Sequence, residues 1–205
     1  VLEAADLECE RGGWLLFRGL SFALAAGESL RVAGANGSGK TSLLRILCGL
    51  LLPSAGEVRW RGTAIRGLRE DYSRELVYLG HAPAVKDDLS AAENLAISCA
   101  LAGMPAEAQA IEEALARFGL AGKSQPSRRL SQGQRRRAAL ARLALSASRP
   151  LWLLDEPFSA LDAAGVALLR GLIEAHLGRG GAVIFTTHQD AGIATARVID
   201  LDRSS

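Results

Sequence analysis

Apolar and polar positions follow different rhythms along the chain, and the changes of rhythm mark out its elements. From Val1 to Leu30 short apolar runs are separated by turn signals at Gly12-Gly13 and Ala26-Gly27, which predicts short strands. Glu28-Ser29-Leu30-Arg31-Val32-Ala33 reads as a further strand. Helix is expected from Lys40 to Leu50, with Pro53 as its stop, and Gly56 to Gly62 reads as a strand and turn. In the middle, Ala91 to Leu101 and Glu107 to Phe118 carry helical periodicity, Gly103 and Pro105 separate them, and Gln132 to Ser146 supplies a third helix. Near the end the runs Leu151-Trp152-Leu153-Leu154 and Ala182-Val183-Ile184-Phe185 are apolar without interruption, the pattern of strands covered on both faces of a parallel sheet. A helix from Ala163 to Leu177 lies between them. This order predicts one α/β domain over residues 1–205, with a parallel core sheet, an N-terminal antiparallel β subdomain and a helical subdomain inserted over about residues 82–147.

Chemistry enters at the first strand-to-helix junction. Gly34-Ala35-Asn36-Gly37-Ser38-Gly39-Lys40-Thr41 matches the phosphate-loop pattern G-x-x-x-x-G-K-[ST] and stands between a predicted strand and a predicted helix. Glycines let successive backbone N–H groups turn inward around a triphosphate, and the helix N-terminus adds its positive dipole end. In that setting Lys40 neutralises the β- and γ-phosphates, Thr41 offers its hydroxyl to Mg²⁺, and Ser42 touches the α-phosphate. A second half-site follows the apolar run at Leu151, where Asp155 and Glu156 cap the strand at its ligand-binding end. Asp155 is placed to hold Mg²⁺ through water, and Glu156 to polarise the attacking water, because in-line attack on a γ-phosphate needs an oriented nucleophile. Two exposed acids at a strand end are the plainer reading of that pair, and the phosphate loop is what argues against it.

Three further segments complete a pattern. Leu130-Ser131-Gln132-Gly133-Gln134 precedes a helix, and Ser159-Ala160-Leu161-Asp162 and His188 follow the acidic pair. Together with the two half-sites these resemble the ATP-binding-cassette (ABC) family: Leu130 to Gln134 its signature motif, with Gln132 where Gly is commoner, Ser159 to Asp162 its D-loop, and His188 its switch histidine. The resemblance implies a P-loop NTPase fold with a RecA-like core, ATP and Mg²⁺ as cofactors, and ATP sandwiched between two copies of the chain. Leu130, Ser131, Gln132, Gly133, Gln134 and Asp162 of one copy would then complete the site of the other. Aligning Gly19-Leu20-Ser21-Phe22 with the family places Arg11 where an adenine-stacking aromatic is usual, a contact that a guanidinium can also make, and Trp14 is nearby. Counting back from Glu93-Asn94 places His81 at the family's Q-loop glutamine. His81, Lys86, Leu89 and the run Thr186-Thr187-His188-Gln189 resemble one subfamily, the ATP-binding subunits of the cytochrome c maturation haem exporter. That implies the membrane subunits CcmB and CcmC as partners, a peripheral position on the cytoplasmic side of the bacterial inner membrane, and work in haem delivery. The alternative is an ABC transporter ATPase with another cargo.

Composition narrows the partners. Of 205 residues 49% are apolar and 22% charged, proportions that exclude a disordered chain. The net charge of +2 is too small for a whole-surface nucleic-acid binder. Arg128-Arg129 and Arg135-Arg136-Arg137 fit an exposed helix face beside the signature, and no long coiled-coil insertion of the kind found in DNA-repair ATPases accompanies them. Cys9, Cys48 and Cys99 show no metal-ligand spacing and read as core thiols in a reducing compartment. No C-x-x-C-H occurs, so the chain does not itself carry c-type haem, and no apolar run reaches the roughly 20 residues of a membrane span.

Overall fold

A computed structural model describes residues 1–188, 192–193 and 197–203. Two sheets share the fold. β1 (Leu2–Arg11) and β2 (Trp14–Leu24) form a hairpin whose tip is Gly12-Gly13, both at positive φ. β4 (Ala55–Trp60) pairs antiparallel with β1 and with the short β5 (Thr63–Ala64), in the order β2-β1-β4-β5. The second sheet is wholly parallel, with β6 (Leu76–Leu79), β7 (Leu151–Leu154), β8 (Ala182–Thr186), β3 (Ser29–Ala33) and β9 (Arg197–Asp200) in that spatial order. The helices are α1 (Lys40–Leu47), α2 (Ile65–Glu75), α3 (Ala91–Leu101), α4 (Ala108–Arg117), α5 (Gln132–Leu140) and α6 (Ala163–Gly178).

Strand alternation sorts the buried side chains into two cores. Leu151, Leu153, Ala182 and Ile184 face the antiparallel sheet and α1, where Leu2, Phe17 and Leu43 meet them. Their neighbours Trp152, Leu154, Val183 and Phe185 face the helices, packing with Leu95, Leu115 and Ile173. Burial on both faces is why β7 and β8 read as continuous apolar runs.

Two boundaries differ from the sequence expectation. Helix α1 stops at Leu47, before Pro53 can act, because Gly49 takes a left-handed φ of 77° and closes the end with Gly49 N–H to Ile46 O and Leu50 N–H to Arg45 O at 3.0 and 2.8 Å. The expected helix from Gln132 to Ser146 is α-helical only to Leu140 and tightens into a 3-10 turn over Ala141–Leu145. The strand and turn expected over Gly56 to Gly62 are present, β4 ending at Trp60 with Arg61-Gly62 as the turn into β5. Among the described residues no helix is long and apolar enough to cross a membrane.

The helical core also contains a titratable group. His176 of α6 is 1% exposed and stacks on Trp152 with ring centroids 3.9 Å apart and planes at 7°. Burial pulls its imidazole down from 6.5 to about 4. The unfolded chain therefore takes up this proton at a higher pH than the folded chain, and stability is lost progressively as pH falls from 6.5 towards 4. The full linkage is on the order of 3 kcal/mol. Urea unfolding at pH 7 and pH 4.5 should show this loss in the native chain, and His176→Gln should flatten it; an equal loss in the variant would assign the acid sensitivity to other groups.

Candidate active site

The loop that leaves β3 is shaped by its glycines. Gly34, Gly37 and Gly39 lie at φ of 141°, 89° and 101°, a region in which side chains are strained. Space is also lacking: a Cβ on Gly39 would lie 3.1 Å from Leu16 Cβ and 3.2 Å from the Phe17 ring, and one on Gly34 would lie 2.4 Å from Ser38 Oγ. Lys40 opens α1 and is buried, its Nζ donating to Gly34 O and Ala35 O at 2.8 and 2.9 Å. The Ser38 hydroxyl is buried with no hydrogen-bond partner, although it sits beside the positive end of a helix. A buried orphan hydroxyl, a cationic side chain and unpaired helix N–H groups form a donor set suited to a phosphate chain.

The acidic pair meets this loop from the end of β7. Asp155 is 2% exposed, and both its oxygens are engaged: Thr41 Oγ1 donates to Oδ2 at 2.7 Å and Thr186 Oγ1 donates to Oδ1 at 2.9 Å. A hydroxyl and a carboxylate in contact, at the edge of an open cleft, are hard oxygen donors that fit Mg²⁺, an ion that keeps several of its waters. Glu156 has φ of 48°, and its N–H donates to Thr186 Oγ1 at 2.7 Å. Its Oε1 is shielded from solvent, lacks a hydrogen-bond partner, and lies 3.4 Å from Nε2 of the exposed His188. A cleft of about 470 Å³ joins these groups, lined among others by Asn36, Gly37, Gly39, Lys40, Thr41, Ser42, His81, Glu156 and His188.

The remaining expected residues lie elsewhere. Arg11 ends β1 opposite Trp14, exposed and outside the cleft. Leu130 to Gln134 also lie outside it. Ser131 and Gln134 build a reciprocal cap on α5, in which Ser131 Oγ accepts from Gln134 N–H at 3.2 Å and Gln134 Oε1 accepts from Ser131 N–H at 2.9 Å. Gly133 packs against the segment Ser159 to Asp162 so closely that a Cβ would lie 3.0 Å from Ala160 O, and Asp162 caps α6 through Gly165 N–H at 2.8 Å. The arginines are not one exposed face. Arg128 and Arg135 pair with Asp88 and Asp87, and Arg136 is 3% exposed beneath the cleft, because its guanidinium is drawn to backbone carbonyls there.

Two contacts were not foreseen from the sequence. Thr186 bridges both acids, and Ala35 N–H of the phosphate loop donates to the Asp202 carboxylate at 2.9 and 3.1 Å. Nothing local to either residue signals this, since each contact depends on strands far apart in sequence lying side by side.

The chain is similar to known proteins in sequence and in fold. The family description "ABC transporter" matches residues 17–159. A cytochrome c biogenesis ATP-binding export protein CcmA from Aromatoleum aromaticum is 57% identical over 98% of this chain and 95% of its own length. CcmA proteins from Nitrosomonas europaea and Pseudomonas aeruginosa are 54% and 48% identical, each over 97% of this chain and over 93% and 98% of their own lengths. Among solved structures, an ABC transporter ATP-binding protein from Pyrococcus furiosus superposes with a TM-score of 0.83 at 23% identity, covering 100% of this chain and 98% of that one. A dimeric bacterial ABC transporter cassette superposes at 0.84 and 23% identity, covering 98% and 94%. On the family match and the full-length relatives, with the phosphate loop and acidic pair meeting in one cleft, the chain belongs to the ATP-binding subunits of ABC transporters.

Proposed function

We propose that this chain is the ATP-hydrolysing subunit of an exporter complex that supports haem delivery for c-type cytochrome biogenesis. The observation that carries the reading is identity of 48–57% to proteins named for cytochrome c biogenesis export, over nearly the whole chain. The presence of His81 in the nucleotide cleft, at the position that prompted the same reading from sequence, supports it. In the proposal the chain acts as one cassette over residues 1–205, with residues 82–147 as a helical subdomain, bound peripherally to CcmB and CcmC at the cytoplasmic face of the inner membrane.

The steps follow from the cleft. Gly34 to Gly39 wrap the triphosphate, Lys40 neutralises its outer phosphates and Ser42 contacts the α-phosphate. Thr41, and Asp155 through water, would hold Mg²⁺, which would supply charge stabilisation at the phosphate oxygens. Glu156 orients the attacking water, with its unpaired Oε1 as the acceptor, and His188 beside it contacts the γ-phosphate. His81 lines the same cleft, at the position of the family's Q-loop glutamine. Arg11 lies near the adenine. Leu130 to Gln134 and Asp162 serve the ATP of a second copy, in keeping with their place outside this chain's own cleft. ATP closes the pair of cassettes, hydrolysis opens it, and the membrane subunits use the movement.

A strain without the gene tests the assignment. Its membranes should lack covalently bound haem on a stained gel, and the native chain, but not Glu156→Gln, should restore it. Normal staining in the null strain would leave an ABC ATPase with another cargo.

A further inference from the structure

Arg136 lies beneath the cleft and touches no part of it that would meet ATP, yet its guanidinium holds both sides of the site. Nη1 donates to Gly80 O and His81 O at 3.0 and 3.1 Å, and Nη2 donates to Asp155 O and Glu156 O at 2.9 and 2.6 Å. Those carbonyls belong to the segments that leave the neighbouring parallel strands β6 and β7. One side chain of α5 therefore ties two strand ends together, and it is 3% exposed while doing so. A planar fork can reach carbonyls on both strand ends at once, whereas a lysine ammonium is a single point.

The backbone it holds is strained. Glu156 has φ of 48°, a left-handed conformation that a glutamate keeps only where the surroundings over-determine it. Hydrogen bonds fix it from both sides: Thr186 Oγ1 accepts its N–H at 2.7 Å, and Arg136 Nη2 donates to its carbonyl. With both flanking peptides pinned, the Glu156 side chain has one direction in which to leave the strand end, into the cleft.

We propose that Arg136, together with Thr186, is a positioning residue for hydrolysis, holding the strained Glu156 backbone so that its carboxylate meets the attacking water. The inference rests on the reading of Glu156 as the residue that orients that water. Arg136 acts through Glu156 and does not touch the nucleotide, so its loss slows the chemical step and leaves binding by Gly34 to Ser42 intact.

Steady-state hydrolysis by the full chain with its membrane partners, at saturating Mg²⁺, tests this with Arg136→Met, Thr186→Val and Thr186→Ser. Displacing a reacting group by about an ångström can cost on the order of 100-fold in rate. Arg136→Met and Thr186→Val should each lower kcat by about 10-fold or more and leave the KM for ATP within about 2-fold, and Thr186→Ser, which keeps the hydroxyl, should recover most of the rate. If Arg136→Met does not fold, the nearly isosteric Val and Ser pair at Thr186 decides the question. A kcat unchanged in Thr186→Val, or in a folded Arg136→Met, would overturn the proposal. Full activity in Glu156→Gln would instead remove the reading on which it stands, and that outcome is seen separately.

Discussion

Glu156→Gln is expected to bind ATP at least as tightly as the native chain, to hydrolyse it about 100- to 1,000-fold more slowly, and to accumulate as a closed dimer. The amide has the shape of the carboxylate but not its basicity, so the water that would meet Oε1 is no longer polarised. The substitution also removes a negative charge from the cleft that holds Lys40, Thr41 and Asp155, which favours a bound polyphosphate. In the proposed cycle hydrolysis opens the dimer, so blocking it would trap the assembly. Single-turnover hydrolysis with labelled ATP, read beside a sizing profile with the membrane subunits present, separates the two effects. A profile that ATP does not change would remove the sandwich dimer from the mechanism, whatever the rate.

The largest effect on stability is expected far from the nucleotide, at Gly56. β1 bends where its pairing with β4 shifts register after Ala5, and Asp6 there takes φ of 48°. Gly56 crosses this bend at φ of 80°, and a Cβ on it would lie 2.3 Å from both Ala5 O and Asp6 O. Those are backbone atoms in the centre of a four-stranded sheet, with no flexible end that can move aside. Left-handed strain and a forced shift of β1 together should cost about 3 kcal/mol or more in Gly56→Ala. That corresponds to a fall in Tm of about 10 °C for a chain of this size. Gly62→Ala is the matched control, because Gly62 has φ of 81° but nothing within 4 Å of its would-be Cβ. It should show the strain alone, about 1 kcal/mol. Equal shifts in the two variants would mean that β1 yields and that the close approach carries no weight.

The parts of the fold that were legible in the sequence are those whose signal is local. Helix α3 begins with Ser90 and Glu93, which build a reciprocal cap, and its bounds match the periodicity at both ends. Strand β7 is four apolar residues running into two acids, and it too falls where the pattern put it. Several elements were not anticipated. Helix α2 is rich in charged residues and carries Gly67, so its apolar face is thin, and it leads directly into β6 with no turn residue between them. β6 itself is defined by pairing with β7, and β9 by pairing with β3, both partners being remote in sequence. The candidate site divides in the same way. Residues inside motifs, namely Asn36, Gly37, Gly39, Lys40, Thr41, Ser42, Asp155, Glu156 and His188, converge in the cleft, and His81 joins them. Arg136, Thr186 and Asp202 act through backbone groups of other segments, which no spacing within their own segment reveals.

Strand order sets when the phosphate loop can be complete. β3 lies between β8 and β9, so the strand that launches the loop acquires both neighbours from segments much later in sequence. The hydrogen bond from Ala35 to Asp202 closes over 167 residues. As synthesis proceeds from the amino end, the binding loop emerges early but cannot be clamped until Asp202 has left the ribosome. Nucleotide affinity is therefore a late product of folding, and a nascent or truncated chain lacking β9 would carry every residue of the phosphate loop without the framework that gives the loop its shape.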